Sequence, residues 1–207
     1  MKARPLTLPL VCFTVLTFSA VSTRSQTVIT FDDLPLNTDD SLVITNGYQG
    51  LMWSNFLASN AILYTQRFGS NGYFNGMLSV SNVAFNGNGN PAEVSSSANI
   101  NFLSAYLTGS WDSNLNIEVQ GYGIGGLLYD TTVVASATSP TLFTFNYLDI
   151  DRLRFNSSGG QNAGFSGNGE QFVMDNFMLE FIPEPSSFLL AATGGVLLVV
   201  FLRRRRA

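Results

Sequence analysis

Leu115-Asn116-Ile117-Glu118-Val119 carries an apolar side chain at every second position and a polar one between. Successive side chains of a strand point to opposite faces, so this run reads as a half-buried strand with Leu115, Ile117 and Val119 inward. The same period of two returns further along. Phe143 and Phe145 alternate with Thr144 and Asn146. Ile150, Arg152 and Arg154 oppose Asp151, Leu153 and Phe155, which places Leu153 and Phe155 on the core side. A Gly/Ser/Asn loop from Asn156 to Gly169 follows, and Phe177, Leu179 and Phe181 then alternate with Met178 and Glu180 in a last strand.

Towards the N-terminus the chain continues as short apolar runs separated by turn chemistry. Val28 to Phe31 is a first strand, ended by Asp32-Asp33-Leu34-Pro35. Leu42 to Thr45 is a second, closed by Asn46-Gly47, and Gly50 to Trp53 and Ala61 to Thr65 are further candidates. Asn-Gly pairs at Asn71, Asn75, Asn86 and Asn88 tolerate positive φ and favour tight turns. Arg67 to Pro91 is therefore expected to be loop-rich, with one or two short strands around Met77 to Phe85. No segment before Phe188 shows a convincing amphipathic-helix period. The expected class is all-β, a two-sheet antiparallel β-sandwich of jelly-roll type spanning residues 26–182.

The two ends read differently. Lys2 and Arg4 precede an apolar run from Leu6 to Phe18, and Ala20-Val21-Ser22 follows. Residues 1–25 are thus expected to be a secretory signal peptide, cut between Ser22 and Gln26. At the other end an apolar run from Phe188 to Leu202 is closed by Arg203, Arg204, Arg205 and Arg206. The run is somewhat short of the roughly 20 residues that a spanning helix wants, so flanking residues or local thinning must make up the difference. Guanidinium groups are costly to move through lipid, so the arginines should stop transfer and stay cytoplasmic. Pro183-Glu184-Pro185 precedes the run. Each proline fixes φ, lacks an N–H and pushes its predecessor towards extended backbone, so this triplet is expected to be an exposed strap.

A Pro-Glu-Pro triplet, an apolar helix over 188–202 and a terminal arginine cluster, in that order over residues 183–207, resemble the PEP-CTERM sorting signal. The resemblance implies a bacterial exosortase substrate that is cut near the motif and released to the envelope or extracellular matrix. The family's recognition residues fall on Pro183, Glu184 and Pro185. The other reading of the tail is a plain anchor that is never cleaved.

Composition excludes several chemistries. The chain of 207 residues has no histidine, and Cys12, its one cysteine, lies in the signal segment. The middle therefore lacks the commonest general base, the commonest metal ligand, any thiol nucleophile and any disulfide. Between Thr27 and Ile182 the only basic residues are Arg67, Arg152 and Arg154, whereas nearly all the acids fall there. An acidic surface without basic stripes argues against nucleic acid as a partner.

A looser resemblance covers the middle. Phe31-Asp32-Asp33 and Met174-Asp175-Asn176-Phe177 look like the terminal strands of jelly-roll domains akin to carbohydrate-binding modules, and Gly121-Tyr122 with the 142–155 strands fits the same pattern. This resemblance implies a sandwich more than a sugar, because a fold does not fix a function. If the first and last strands pair, Asp32, Asp33 and Asp175 converge, and three carboxylates make a hard-oxygen site for calcium. The same residues read equally as strand-ending acceptors of backbone N–H groups.

Asp112-x-Asn114-x-Asn116-x-Glu118 resembles the opening of a calcium loop. However, Ile117 stands where that loop needs glycine, so alternation on a strand accounts for it. Asp39-Asp40 and Asp149-x-Asp151 are carboxylate pairs of the kind a glycosidase places across a cleft, and equally solvated loop acids. Tyr48, Trp53, Tyr64, Tyr73, Trp111 and Tyr122 could form an aromatic platform or fill the core. The sequence thus points to an exported envelope or matrix protein with a non-enzymatic structural or adhesive role. The alternatives are an exopolysaccharide-binding module and a secreted glycan hydrolase or lyase. The implied partners are an exosortase-type processing enzyme, the secretion machinery, the membrane and a polysaccharide.

Overall fold

A computed structural model describes residues 25–182 of the protein. The expected signal peptide, the Pro183–Pro185 strap, the 188–202 helix and the Arg203–Arg206 cluster lie outside the described residues. Among the described residues no helix is long and apolar enough to cross a membrane.

Twelve strands follow one another: β1 (Gln26–Ile29), β2 (Ser41–Val43), β3 (Met52–Ser54), β4 (Phe56–Asn60), β5 (Asn82–Asn86) and β6 (Ala92–Gly109), then β7 (Asp112–Ser113), β8 (Leu115–Gly123), β9 (Gly126–Ala135), β10 (Thr141–Ser158), β11 (Gln161–Asn162) and β12 (Phe172–Phe181). Two short helices, α1 (Ala61–Phe68) and α2 (Gly72–Asn75), lie between β4 and β5. Ten of the strands form one hydrogen-bonded sheet in the order β2-β4-β5-β12-β6-β10-β8-β9, with β1 on β12 and β3 on β6. All its pairings are antiparallel.

That sheet is folded over on itself. Four ladder steps separate β4 from β10, about 19 Å in a flat sheet. Yet the rings of Phe56 on β4 and Phe155 on β10 stand 5.8 Å apart, edge to face. The two ends of the sheet therefore form the two layers of a sandwich. Phe56, Phe102, Phe155, Phe172 and Phe177 are fully buried between them. Leu115, Ile117 and Val119 are buried as well, as their alternation requires.

The first and last strands pair as expected, with Gln26 opposite Glu180 and Ile29 opposite Phe177. Two expectations are overturned. Ala61 to Thr65 is the start of α1 and not a strand. Asn60 caps it, its Oδ1 accepting the N–H groups of Ile62 and Leu63 at 3.1 Å each. Gly69, at φ 76°, ends it. Ile150 was expected on the side of the arginines but is fully buried, together with Leu153 and Phe155. The register of β10 against β6 shifts after Thr144, after Tyr147 and after Ile150, and Asn146 and Asp149 adopt positive φ there. Each extra residue at a bulge reverses which parity of the strand points inward.

Candidate functional site

Phe31, two residues beyond the end of β1, lies in the left-handed region at φ 65°. That conformation costs a bulky residue about 1–2 kcal/mol. Its ring is fully buried against Tyr48 and Trp53, which offsets the cost. The turn aims Asp32 at the loop before β5. Asp32 accepts the backbone N–H groups of Val80, Ser81 and Asn82 at 3.1, 2.9 and 2.9 Å. From the other side Asp175 on β12, fully buried, accepts those of Leu78 and Ser79 at 2.7 and 2.8 Å, and its own neighbour Asn176 at 2.6 Å. Two carboxylates thus hold five consecutive N–H groups, from residue 78 to residue 82.

This is the hydrogen-bonding alternative for Asp32 and Asp175. Their lone pairs are directed at backbone donors, where a calcium ion would need them free. Asp33 turns away and accepts from the Tyr48 hydroxyl and the Gln49 amide. Among the described residues no three acids gather that could hold a metal ion. The electrostatics of the two clamping acids differ. Burial pushes the carboxyl of Asp175 up despite its hydrogen bonds. For Asp32 burial is again the largest single influence, and it too raises, but the three backbone N–H groups together hold the carboxyl below its ordinary value.

The aromatic candidates divide between two clusters. Tyr48 and Trp53 belong to the main core, and Trp53 is 5% exposed. Tyr64, Tyr73 and Trp111 pack with Phe85 under the helices, and Trp111 is 7% exposed. Tyr122 stays near the surface with the Arg152 guanidinium 4.0 Å from its ring centre. The carboxylate pairs have different partners. Asp39 and Asp40 both face Arg67, at 3.0 and 3.7 Å. Asp149 accepts from the Asn99 amide at 2.6 Å. The run Asp112 to Glu118 is broken at Asn114, at φ 56°, between β7 and β8, and on β8 Asn116 and Glu118 lie on the face opposite Leu115 and Ile117.

An open, shallow groove of about 440 Å³ lies beside the Arg67 cluster, lined by Asn37, Thr38, Asp39, Leu63, Gln66 and Arg67. Five of its six side chains can donate or accept hydrogen bonds. Neither α1 nor the groove was legible in the sequence, although Asn60 before Ala61 is the cap signal that could have revealed the helix.

Against known families, residues 181–206 match the PEP-CTERM protein-sorting motif. A motif of this kind marks an exported protein handled at the membrane and implies processing by an exosortase. No curated protein matches the chain. Among solved structures, the carbohydrate-binding module TmCBM61, determined in complex with β-1,4-galactotriose, aligns over 66% of this chain and 94% of its own, with 12% sequence identity and a TM-score of 0.37.

Proposed function

We propose that the β domain is non-enzymatic cargo of the cell envelope or extracellular matrix, carried out by its tail and freed by cutting near Pro183-Glu184-Pro185. One observation carries this reading: the sorting motif begins at residue 181, where β12 ends at Phe181. The last described ladder contact is the Ile182 N–H on the Asn99 carbonyl at 2.9 Å. A cut beyond it removes no strand pairing. Pro183 and Pro185 carry no N–H to donate to a ladder, which suits the triplet to be a cutting point and not a further rung of the sheet. The fold is thereby indifferent to the loss of the segment that delivered it.

The test is the intact mass of the protein recovered from its native host. The expected species starts between Ser22 and Gln26 and ends near the Pro183–Pro185 strap, and Glu184→Ala is expected to accumulate uncut in the membrane fraction. A wild-type mass that retains Arg203 to Arg206 would leave only an anchor and end the proposal.

The groove favours one second reading, in which the exported domain also holds a polysaccharide. Sugar hydroxyls need closely spaced donors and acceptors, and Asn37, Thr38, Asp39, Gln66 and Arg67 supply them. Electrophoretic retardation in gels cast with the host's exopolysaccharide should then be lost in Gln66→Ala. Equal mobility of wild type with and without polysaccharide would dismiss this reading.

A further inference from the structure

The β8–β9 hairpin turn carries large aliphatic residues among its glycines. Its sequence is Gly123-Ile124-Gly125-Gly126-Leu127-Leu128. Ile124 sits at the apex and is 91% exposed, and Leu127, Leu128 and the neighbouring Leu148 are each about half exposed. Gly125 and Gly126 adopt φ 104° and 116° with no heavy atom near where a side chain would begin, so the tip stands clear of the domain. A bulge between Gly121 and Tyr122 lets Leu127 pair with Tyr122 and leaves Leu128 as the extra residue. A side chain on Gly123 would meet Leu128 and the Asp149 carbonyl, which places the tip against the 148–150 turn.

That turn lies at the end of the domain from which the tail departs. The Asp149 carboxylate accepts from the Asn99 amide, and the Asn99 carbonyl accepts from the Ile182 N–H. Phe181 is opposite Ile100, and Ile100 is opposite Ile150. Three ladder steps separate β12 from β8, so the apolar tip is at most about 14 Å to the side of the exit strand at the same end. The Gln26 end of β1 is there too, beside Glu180. Between Ile182 and the apolar run that starts at Phe188 the chain can span at most about 20 Å. A domain tethered so closely has this end turned to the bilayer.

We infer that the β8–β9 tip, with Ile124 foremost and Leu127, Leu128 and Leu148 behind it, seats in the lipid interface of the membrane that the tail enters. The inference rests on the proposed reading of 188–202 as that membrane anchor. Exposed apolar side chains at a hairpin apex lose unfavourable water contact when they enter the acyl boundary. The Arg152–Tyr122 pair stands just behind them, at the depth where cations and aromatic rings sit at a membrane surface. Four side chains supplement an anchor but do not replace one, so the tip orients the domain while it is tethered and does not hold it after cutting.

The full chain, reconstituted into phosphatidylcholine vesicles, tests this directly. Trp53 and Trp111 are buried, so a tryptophan added at the surface reports its own depth. Ile124→Trp should lose about half of its added emission when the acyl chains are brominated. Val134→Trp lies on the same hairpin, 55% exposed and about 23 Å from the tip along the strand, and should lose none. Both positions are at the surface, so neither change disturbs packing. Flotation with the vesicles is scored in the same samples. Protein that floats with Ile124→Trp unquenched, or with both positions quenched alike, overturns the hairpin inference alone. Protein that fails to float overturns the anchor and the hairpin together.

Discussion

Asp175→Ala is expected to destabilise the domain by about 3 kcal/mol, read as a lowered urea midpoint at unchanged slope. The substitution leaves the Leu78, Ser79 and Asn176 N–H groups without the acceptor they share. A fully buried donor left unpaired costs about 1–3 kcal/mol; these three are part-buried, so each costs less, and the relief of a buried charge returns part of the total. A domain of this size is held by only about 5–15 kcal/mol. Asp175→Asn keeps an acceptor and should lie between wild type and alanine. An alanine variant as stable as wild type would mean that the 78–82 loop does not depend on the clamp.

The same pair of acids should shape the acid side of the stability curve in opposite senses. The carboxyl of Asp32 is held below its ordinary value of 3.8, so its contribution is present above that pH and is lost as pH falls through the lowered value. The carboxyl of Asp175 is raised. From its ordinary value up to the raised one the folded chain binds more proton than the unfolded chain, so stability falls as pH rises through that window. Asp32→Asn should therefore flatten the loss on the acid side, and Asp175→Asn should remove the decline just above about pH 4. Unfolding midpoints collected from pH 2 to pH 7 measure both.

How much of this was legible depended on which faces were wet. β8 and the 177–181 part of β12 expose one side to water, so their alternation shows in the residues and the inward set follows. β6 sits between β10 and β12 and, from Ile100 to Gly109, is buried on both faces for most of its length. A strand covered on both sides needs no polar face, and its run Ile100 to Gly109 offers no period to read. β10 alternates, but its inward set steps from Tyr147 to Ile150 and then to Leu153, a change of parity on either side of Ile150 that a fixed period cannot anticipate. The clamp was half visible. Pairing of the end strands was deducible and did bring Asp32 and Asp175 to one loop. What the sequence left open was whether a metal or the backbone would meet them, because the five N–H donors belong to a loop with no motif of its own.

Phe56→Ala should be the most damaging core substitution, at about 4 kcal/mol and a fall of roughly 10 °C or more in melting temperature. The chain reaches Phe56 through Asn55, in the left-handed region at φ 55°. The Asn55 amide reaches the carbonyls of Gly87, Asn90 and Pro91 and fixes the turn between β3 and β4. So anchored, the Phe56 ring meets Trp53 at 5.3 Å, Phe155 at 5.8 Å and Phe172 at 6.1 Å, all near perpendicular. It thereby joins the strands of both layers at once. Removing it loses the transfer free energy of a full ring and leaves a cavity whose walls are strands, which relax poorly. Phe56→Leu fills most of that space and should cost about 1–1.5 kcal/mol. Val43→Ala, on the sheet edge and 60% exposed, should stay within about 0.5 kcal/mol. The ranking is what tests the architecture: if Phe56→Ala melted no earlier than Val43→Ala, the two ends of the sheet would not be packed on one another through this ring.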